Sequence, residues 1–338
     1  MPKPRAGGSK NAKKRAGVSA SKYSIKAHGT TDVGLVREGN EDALLIHQTA
    51  GLYVVADGMG GHNCGEVASQ FAIEALMAFY DSDDILKKVK TAHRRAVKQL
   101  PKEKRDVSHH ALRLRKAVES ANISVFRLSQ QHEALRDMGT TVVGVSFSGA
   151  RMYVANVGDS RVYRLRRRKL TQLTEDHSLV NEYIKMNMLR PEDVESFPYK
   201  NVIVRAVGLH EKVGVDVTWT TIRPADRVLL CSDGLTDLVR DPEIRAVLAD
   251  SDSPTTACEQ LTALAKARGG HDNITTLVLE VLEDDADEES MLVKLPATEA
   301  EPESSDIAVN GSIPPPPTGP PPAAPAPHGP APVGSSDS

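Results

Sequence analysis

Apolar and polar positions alternate from Tyr23 to Thr31, with Tyr23, Ile25 and Ala27 on one face, and this period of two predicts a first strand. Ala43 to Ile46 and Leu52 to Ala56 are short apolar runs that predict a hairpin. From Glu66 to Tyr80 the period becomes helical, with Val67, Phe71, Ala75 and Phe79 recurring; a second helix, from about His110 to Gln131, carries Val118, Ala121, Val125 and Leu128 on one side. Four strands follow at Thr140 to Phe147, Arg151 to Val157, Ser160 to Leu165 and Leu170 to Leu173, and their close spacing predicts an antiparallel meander. Asp176 to Gly208, interrupted by Pro191 and Pro198, is too irregular for core sheet and reads as a flap over the edge of a site. Strands are expected again at Val213 to Ile222 and Arg227 to Ser232. A helix capped by Asp241 is expected to run to Ala249, and a longer one from about Pro254 to Arg268 to turn Cys258, Leu261 and Leu264 inward. Gly269-Gly270 ends that helix, and Ile274 to Val281 is the last predicted strand.

These elements occupy residues 23 to 282 of 338, enough chain for one domain with a sizeable core. Outside them the composition changes. Residues 1–22 carry seven Lys or Arg and no acid, among Gly, Ser and Ala, and read as a disordered basic arm. Residues 283–338 carry eleven acids against Lys294 alone, first in the run Glu283 to Glu289 and then ahead of a Pro- and Ala-rich stretch from 314 to 332, so they read as a disordered tail. The net charge of -3 therefore conceals a neutral middle, which argues against nucleic acid as a partner. Lys87 to Lys116 is strongly basic; a docking patch for acidic or phosphorylated partners is one reading, and a solvated helical extension is the favoured one. Cys64, Cys231 and Cys258 form no C-x-x-C pair, and no apolar run spans a bilayer, so a reducing, cytoplasmic location is expected.

The candidate chemistry lies at the strand ends. Leu52 to Ala56 stops at Asp57-Gly58-Met59-Gly60-Gly61-His62, an acid followed by glycines that let backbone carbonyls approach a bound ion. Taken alone, such a turn is equally an Asp capping the next helix. Acid-bearing turns recur, however, at Arg37-Glu38-Gly39-Asn40-Glu41-Asp42, Gly158-Asp159-Ser160-Arg161, Ser232-Asp233-Gly234 and His271-Asp272-Asn273, which together suggest a cluster for hard cations.

In that order, and with Met138-Gly139-Thr140-Thr141 between them, these motifs closely resemble the metal-dependent, type 2C family of serine/threonine protein phosphatases, in particular its bacterial branch. The resemblance implies an α+β fold, a four-layer α-β-β-α sandwich of two antiparallel sheets flanked by helices. It implies two Mn²⁺ or Mg²⁺ ions at one end, with a third, weaker ion. By position Asp57 would bridge the two ions and the Gly58 carbonyl would bind the second. Asp233 and Asp272 would hold the first, Glu41 and Asp42 the waters of the second, and Asp159 the third. Arg37 stands at the phosphate-binding position; a guanidinium can grip two phosphate oxygens where an ammonium cannot. The implied activity is hydrolysis of phosphoserine and phosphothreonine in proteins by a water that two metals activate, opposing a cognate bacterial Ser/Thr kinase, in a monomer.

The chain departs from the pattern at Met59, where many eukaryotic members carry a histidine proposed as general acid; His62 is assigned to capping the next helix, and the general acid stays unassigned. Asp32, Glu38, Asp176 and Asp226 are read as solvated or turn residues, Ser160 and Arg161 as structural supports, and Asn273 as orienting Asp272 or capping its strand. The alternatives are a catalytically silent module of the same fold that binds a phosphorylated signalling partner, and a switch dedicated to one anti-sigma-type regulator through its flap.

Overall fold

The computed structural model describes residues 23–60, 64–99, 108–199 and 201–283. The expectations for the basic arm, the tail beyond Glu283 and His62 lie outside the described residues. The chain opens with strands β1 (Tyr23–Asp32), β2 (Asp42–His47) and β3 (Leu52–Met59), then forms helices α1 (Cys64–Asp81), α2 (Asp83–Gln99) and α3 (His109–Gln131). Strands β4 (Gly139–Thr140), β5 (Val142–Ser148), β6 (Arg151–Val157), β7 (Arg161–Arg166) and β8 (Lys169–Gln172) precede a short helix, α4 (Leu179–Lys185). The last third holds β9 (Asp216–Thr221), β10 (Arg227–Cys231), the single turn α5 (Asp233–Thr236), α6 (Asp241–Asp250), α7 (Pro254–Ala267) and β11 (Ile274–Glu283).

Two antiparallel sheets result, one ordered β1-β11-β10-β7-β8 and the other β2-β3-β5-β6-β9, with β4 added at the tip of β3. The residues that face each way explain why. On β3, Leu52, Val54 and Ala56 pack beneath α1 and α3, while Tyr53 and Val55 pack between the sheets. On β10, Val228 and Leu230 enter the space between the sheets, while Leu229 and Cys231 lie under α6 and α7. Both faces of the central strands are covered, so these strands are apolar at consecutive positions. Three apolar layers separate four structural ones, as the expected α-β-β-α sandwich requires.

The structure corrects some of the expectations. The strands from Thr140 to Leu173 are not one meander: β5 and β6 pair in one sheet and β7 and β8 in the other. Gly158, at φ 109°, turns the chain out of the first sheet, and burial of Val162 between the sheets with Tyr163 and Leu165 under the helices draws β7 into the second. Strand β3 does not stop at Ala56; the Gly58 N–H donates to the Glu41 carbonyl (3.0 Å) and Met59 pairs with Gly139. Asp241 does not cap α6, since Arg240 occupies the cap position and the Asp241 carboxylate accepts the Tyr163 hydroxyl at 3.1 Å. Asp226 is not a solvated acid but is 1% exposed and paired with Arg166 at 2.6 Å, and Asp176 is paired with Arg161 at the same distance. Asp32 accepts Lys266 and its own turn's Gly34 N–H. The basic stretch begins in α2, in which Val89 alone is buried, so the solvated extension holds for residues 87–99; its last residues open α3, where Leu114 is fully buried and Ala111 and Leu112 pack against the core. No helix among the described residues is long and apolar enough to cross a membrane.

Candidate active site

The acids gather at one end of the sandwich because strands of both sheets stop there. Asp42 and Asp57 stand opposite each other in the β2–β3 ladder. Asp233 follows the last residues of β10, Asp272 precedes β11, and Asp159 sits on the crossover from β6 to β7. Glu41 immediately precedes β2, and its carboxylate accepts the Gly65 N–H in the first turn of α1. Arg37, exposed on the rim, donates to Asp272 Oδ2 at 2.8 Å. Electrostatic interactions link all seven candidate side chains into one cluster, with Gly58 next to Asp57 at its centre.

Uncharged groups fix this arrangement. Ser232 Oγ donates to Asp42 Oδ2 (2.8 Å) and accepts the Thr275 N–H (3.0 Å), tying β2 of one sheet to β11 of the other. The Thr141 hydroxyl accepts the Asp57 N–H (3.0 Å) and shares a hydrogen bond with Ser160 Oγ (2.7 Å). Ser160 is thus a support, as its sequence context suggests. Gly58 is required by crowding: a β-carbon there would collide with the Gly65 carbonyl and stand 2.6 Å from the Glu41 carbonyl oxygen. The glycine serves the approach of α1 to β3, which its place in an ion-binding turn did not foretell.

The charge balance is unfavourable without a cation. Burial raises the Asp57 pKa well above the ordinary carboxylate value, and Asp42, Asp233 and Asp159 raise it further by repulsion. Burial likewise raises Asp233, with Asp159, Asp237, Asp272 and Asp42 adding to it. Asp42 is pushed up to about 6, chiefly by burial and against the hydrogen bonds from Thr275 and Ser232. Asp159 is pushed up to about 7 by burial and then by Asp176, with Arg161 opposing. Burial opposes the Arg37 charge, but Asp272, Glu41 and Asp57 outweigh it, and its pKa rises.

Asp42 Oδ1, Asp159 Oδ1 and Asp233 Oδ1 are buried with no hydrogen-bond partner among the described residues. Unpaired buried carboxylate oxygens are costly, and several facing one another ask for positive charge. The donors are all hard oxygens, the type that Mg²⁺ and Mn²⁺ select. Among the described residues no three acids close around a single point as an all-protein cage does.

Other residues complete the site. Asn273 is more than an orienter of Asp272: its Oδ1 accepts the Glu41 N–H (2.8 Å) and its Nδ2 donates to the carbonyls of Val33 and Gly39, pinning the whole 33–41 loop. His177 Nδ1 accepts the Gly158 N–H (3.0 Å), and its Nε2 faces Asp216. The other end of the expected flap is tied down where Val207 and Thr140 exchange backbone hydrogen bonds, beside the Gly58 pairing. Asp237 adds negative charge to Asp159 and Asp233. Its spacing of four from Asp233, one helical turn, was the available signal, and sequence reasoning passed over it.

The protein phosphatase 2C family model matches residues 36–267, most of the described chain and every one of these acids except Asp272. The chain belongs to this family. This phosphatase is 36% identical to the serine/threonine phosphatase stp of Listeria welshimeri over 259 residues, which are 76% of this chain and 96% of that protein. It is 36% identical over 258 residues to PstP of Mycobacterium tuberculosis, 75% of this chain and 45% of that longer protein. The crystal structure of that PstP superposes with a TM-score of 0.66 at 33% identity, covering 77% of this chain and 99% of the other. A second structure, of the PstP catalytic domain, contains two manganese ions and superposes with a TM-score of 0.64. This phosphatase 2C chain is accordingly a phosphoprotein phosphatase of the bacterial branch, and nothing supports a catalytically silent module.

Proposed function

We propose that this phosphatase hydrolyses phosphoserine and phosphothreonine in proteins, using two Mn²⁺ or Mg²⁺ ions at the acid cluster, and that it opposes a bacterial Ser/Thr kinase. What carries the reading is the set of buried, unpartnered carboxylate oxygens that both sheets deliver to one end of the sandwich, with Arg37 bonded to Asp272 beside them. In this reading Asp57 stands between the two ions and the Gly58 carbonyl serves the second. Asp233 and Asp272 hold the first, Glu41 and Asp42 orient waters of the second, and Asp159 accepts a third and weaker ion. When bound, such ions supply the positive charge that offsets the phosphate and acidifies a water. The relatives named serine/threonine phosphatases, and the two manganese ions in PstP, support the substrate class and the metal.

The chain's own groups then do the following. Arg37 binds the phosphate: one of its N–H groups is committed to Asp272, which leaves the others of the fork to face the phosphate oxygens. Asn273 holds the loop that carries Arg37, Glu41 and Asp42 against the second sheet. Ser232 keeps one oxygen of Asp42 engaged so that the other points free. Met59, where a histidine stands in many eukaryotic members, offers no proton, which leaves protonation of the leaving alkoxide to water.

The test is hydrolysis of a phosphothreonine peptide by purified protein with Mn²⁺ or with EDTA, alongside Asp57→Ala and Asp233→Ala. Activity that needs the cation and is lost in both folded variants is expected; wild-type rates in either variant would overturn the assignment.

A further inference from the structure

At the end of the sandwich away from the acid cluster lies an open cleft of ≈ 530 Å³, lined by the β7–β8 turn, the β9–β10 turn and the end of α6. Its distance from the cluster follows from β7, which starts beside Asp159 and runs six residues, about 20 Å, before reaching it. Six arginines meet around the cleft: Arg164, Arg166, Arg167, Arg168, Arg223 and Arg227. Three acids answer them, with Asp226 on Arg166, Asp250 on Arg168 and Glu280 on Arg227. Arg167 and Arg223 are exposed and have no acid partner among the described residues. Arg164 Nε is buried with no hydrogen-bond partner. Arg167 and Arg168 both sit at positive φ, 49° and 62°, so two consecutive bulky residues accept an unfavourable backbone at the turn. The positive charge is thus in excess.

Strand β11 ends at this cleft. Val281 exchanges backbone hydrogen bonds with Ala225 and Asp226 (2.9 and 3.0 Å), so the last residues of the strand lie against the β9–β10 turn. The sequence continues as Glu283-Asp284-Asp285-Ala286-Asp287-Glu288-Glu289, six acids in seven residues. Six residues beyond Glu283 reach up to about 20 Å when extended, which spans the cleft. Being tethered, that segment meets the arginines at millimolar effective concentration. We propose that the arginine cleft is the docking site of the chain's own acidic segment, residues 284–289, which neutralises it and covers it against other acidic or phosphorylated chains. The basic arm, which leaves beside the same strand end because Tyr23 pairs with Glu283, is the rival partner for those acids.

The three native cysteines are buried, so single cysteines placed on the surface of the full chain take a spin label selectively. With labels at Ala286→Cys and Ala249→Cys, which lines the cleft, a narrow short-distance population is expected at 20 mM NaCl. It should fall about threefold or more at 0.5 M NaCl, where screening shortens to a few ångströms. It should also fall in Arg167→Glu/Arg223→Glu, whose positions make no ion pair that folding depends on. A broad distribution under all conditions, as when the acids pair with the basic arm instead, overturns the proposal. So does a short distance indifferent to salt and to the charge reversals, or one that appears when two singly labelled chains are mixed, which would mark the occupant as a second copy's tail.

Discussion

Asn273→Ala isolates what holds the two halves of the site together. Asn273 is 4% exposed and its side chain makes three hydrogen bonds, from the Glu41 N–H at 2.8 Å and to the Gly39 and Val33 carbonyls at 2.9 and 3.1 Å. At about 1 kcal/mol net each, the variant loses about 3 kcal/mol of loop anchoring. For a domain of this size that corresponds to a fall in Tm of roughly 6–12 °C if the loop melts with the fold. The same loop positions Arg37, Glu41 and Asp42, so kcat/KM on a phosphothreonine peptide should fall by ~10–100-fold, the equivalent of 1.4–2.8 kcal/mol. Scanning calorimetry and a steady-state assay at 25 °C with saturating Mn²⁺ read the two effects separately. Wild-type kcat/KM in a variant whose Tm has dropped would refute the claim that this pin assembles the site. An unchanged Tm would refute the energy assigned to it.

Gly58→Ala should lower activity by at least about 10-fold and destabilise the fold by roughly 1–3 kcal/mol, because the added carbon meets backbone on α1 that cannot rotate away; urea unfolding and the peptide assay check both effects. Mn²⁺ at 100 times its Kd should stabilise the protein by ~2.7 kcal/mol and EDTA should reverse this, as a thermal shift titration would show. The pH dependence has a definite sign. Asp159 is raised in the folded state to about 7 from 3.8, so between those values the folded chain binds the proton more tightly than the unfolded one, and the destabilisation grows as pH rises through that window. In metal-free protein Asp159→Asn should therefore match wild type near pH 4 and be more stable, by up to about 4 kcal/mol, at pH 7.5; equal stability at pH 7.5 would refute the buried-charge argument.

The acids were legible in the sequence because each stands beside a run of apolar residues, at the point where a strand starts or stops. Asp42, Asp57, Asp159, Asp233 and Asp272 were all found that way, and the structure brings them to one end of the sandwich. The crossover at Gly158 was not legible, since β6 and β7 look like neighbours in a meander; which sheet a strand joins depends on residues far away in sequence. The buried pair of Asp226 and Arg166 was missed for the same reason, as sixty residues separate the partners and a lone Asp in a turn looks solvated. Asn273 showed its amide but not its reach, because its three backbone partners lie more than 230 residues earlier.

That separation has a consequence for how the enzyme comes into being during synthesis. Strand β11 lies between β1 and β10, and both Asp272 and Asn273 stand at its entrance. Until those residues leave the ribosome, β1 has no partner in its sheet, Arg37 lacks the Asp272 carboxylate, and the 33–41 loop lacks the Asn273 amide that pins three of its backbone groups. Contacts spanning so much chain are the last to close. The nascent polypeptide is therefore silent through most of its elongation, and its reactive centre appears only with the final strand, as one of the last events of folding.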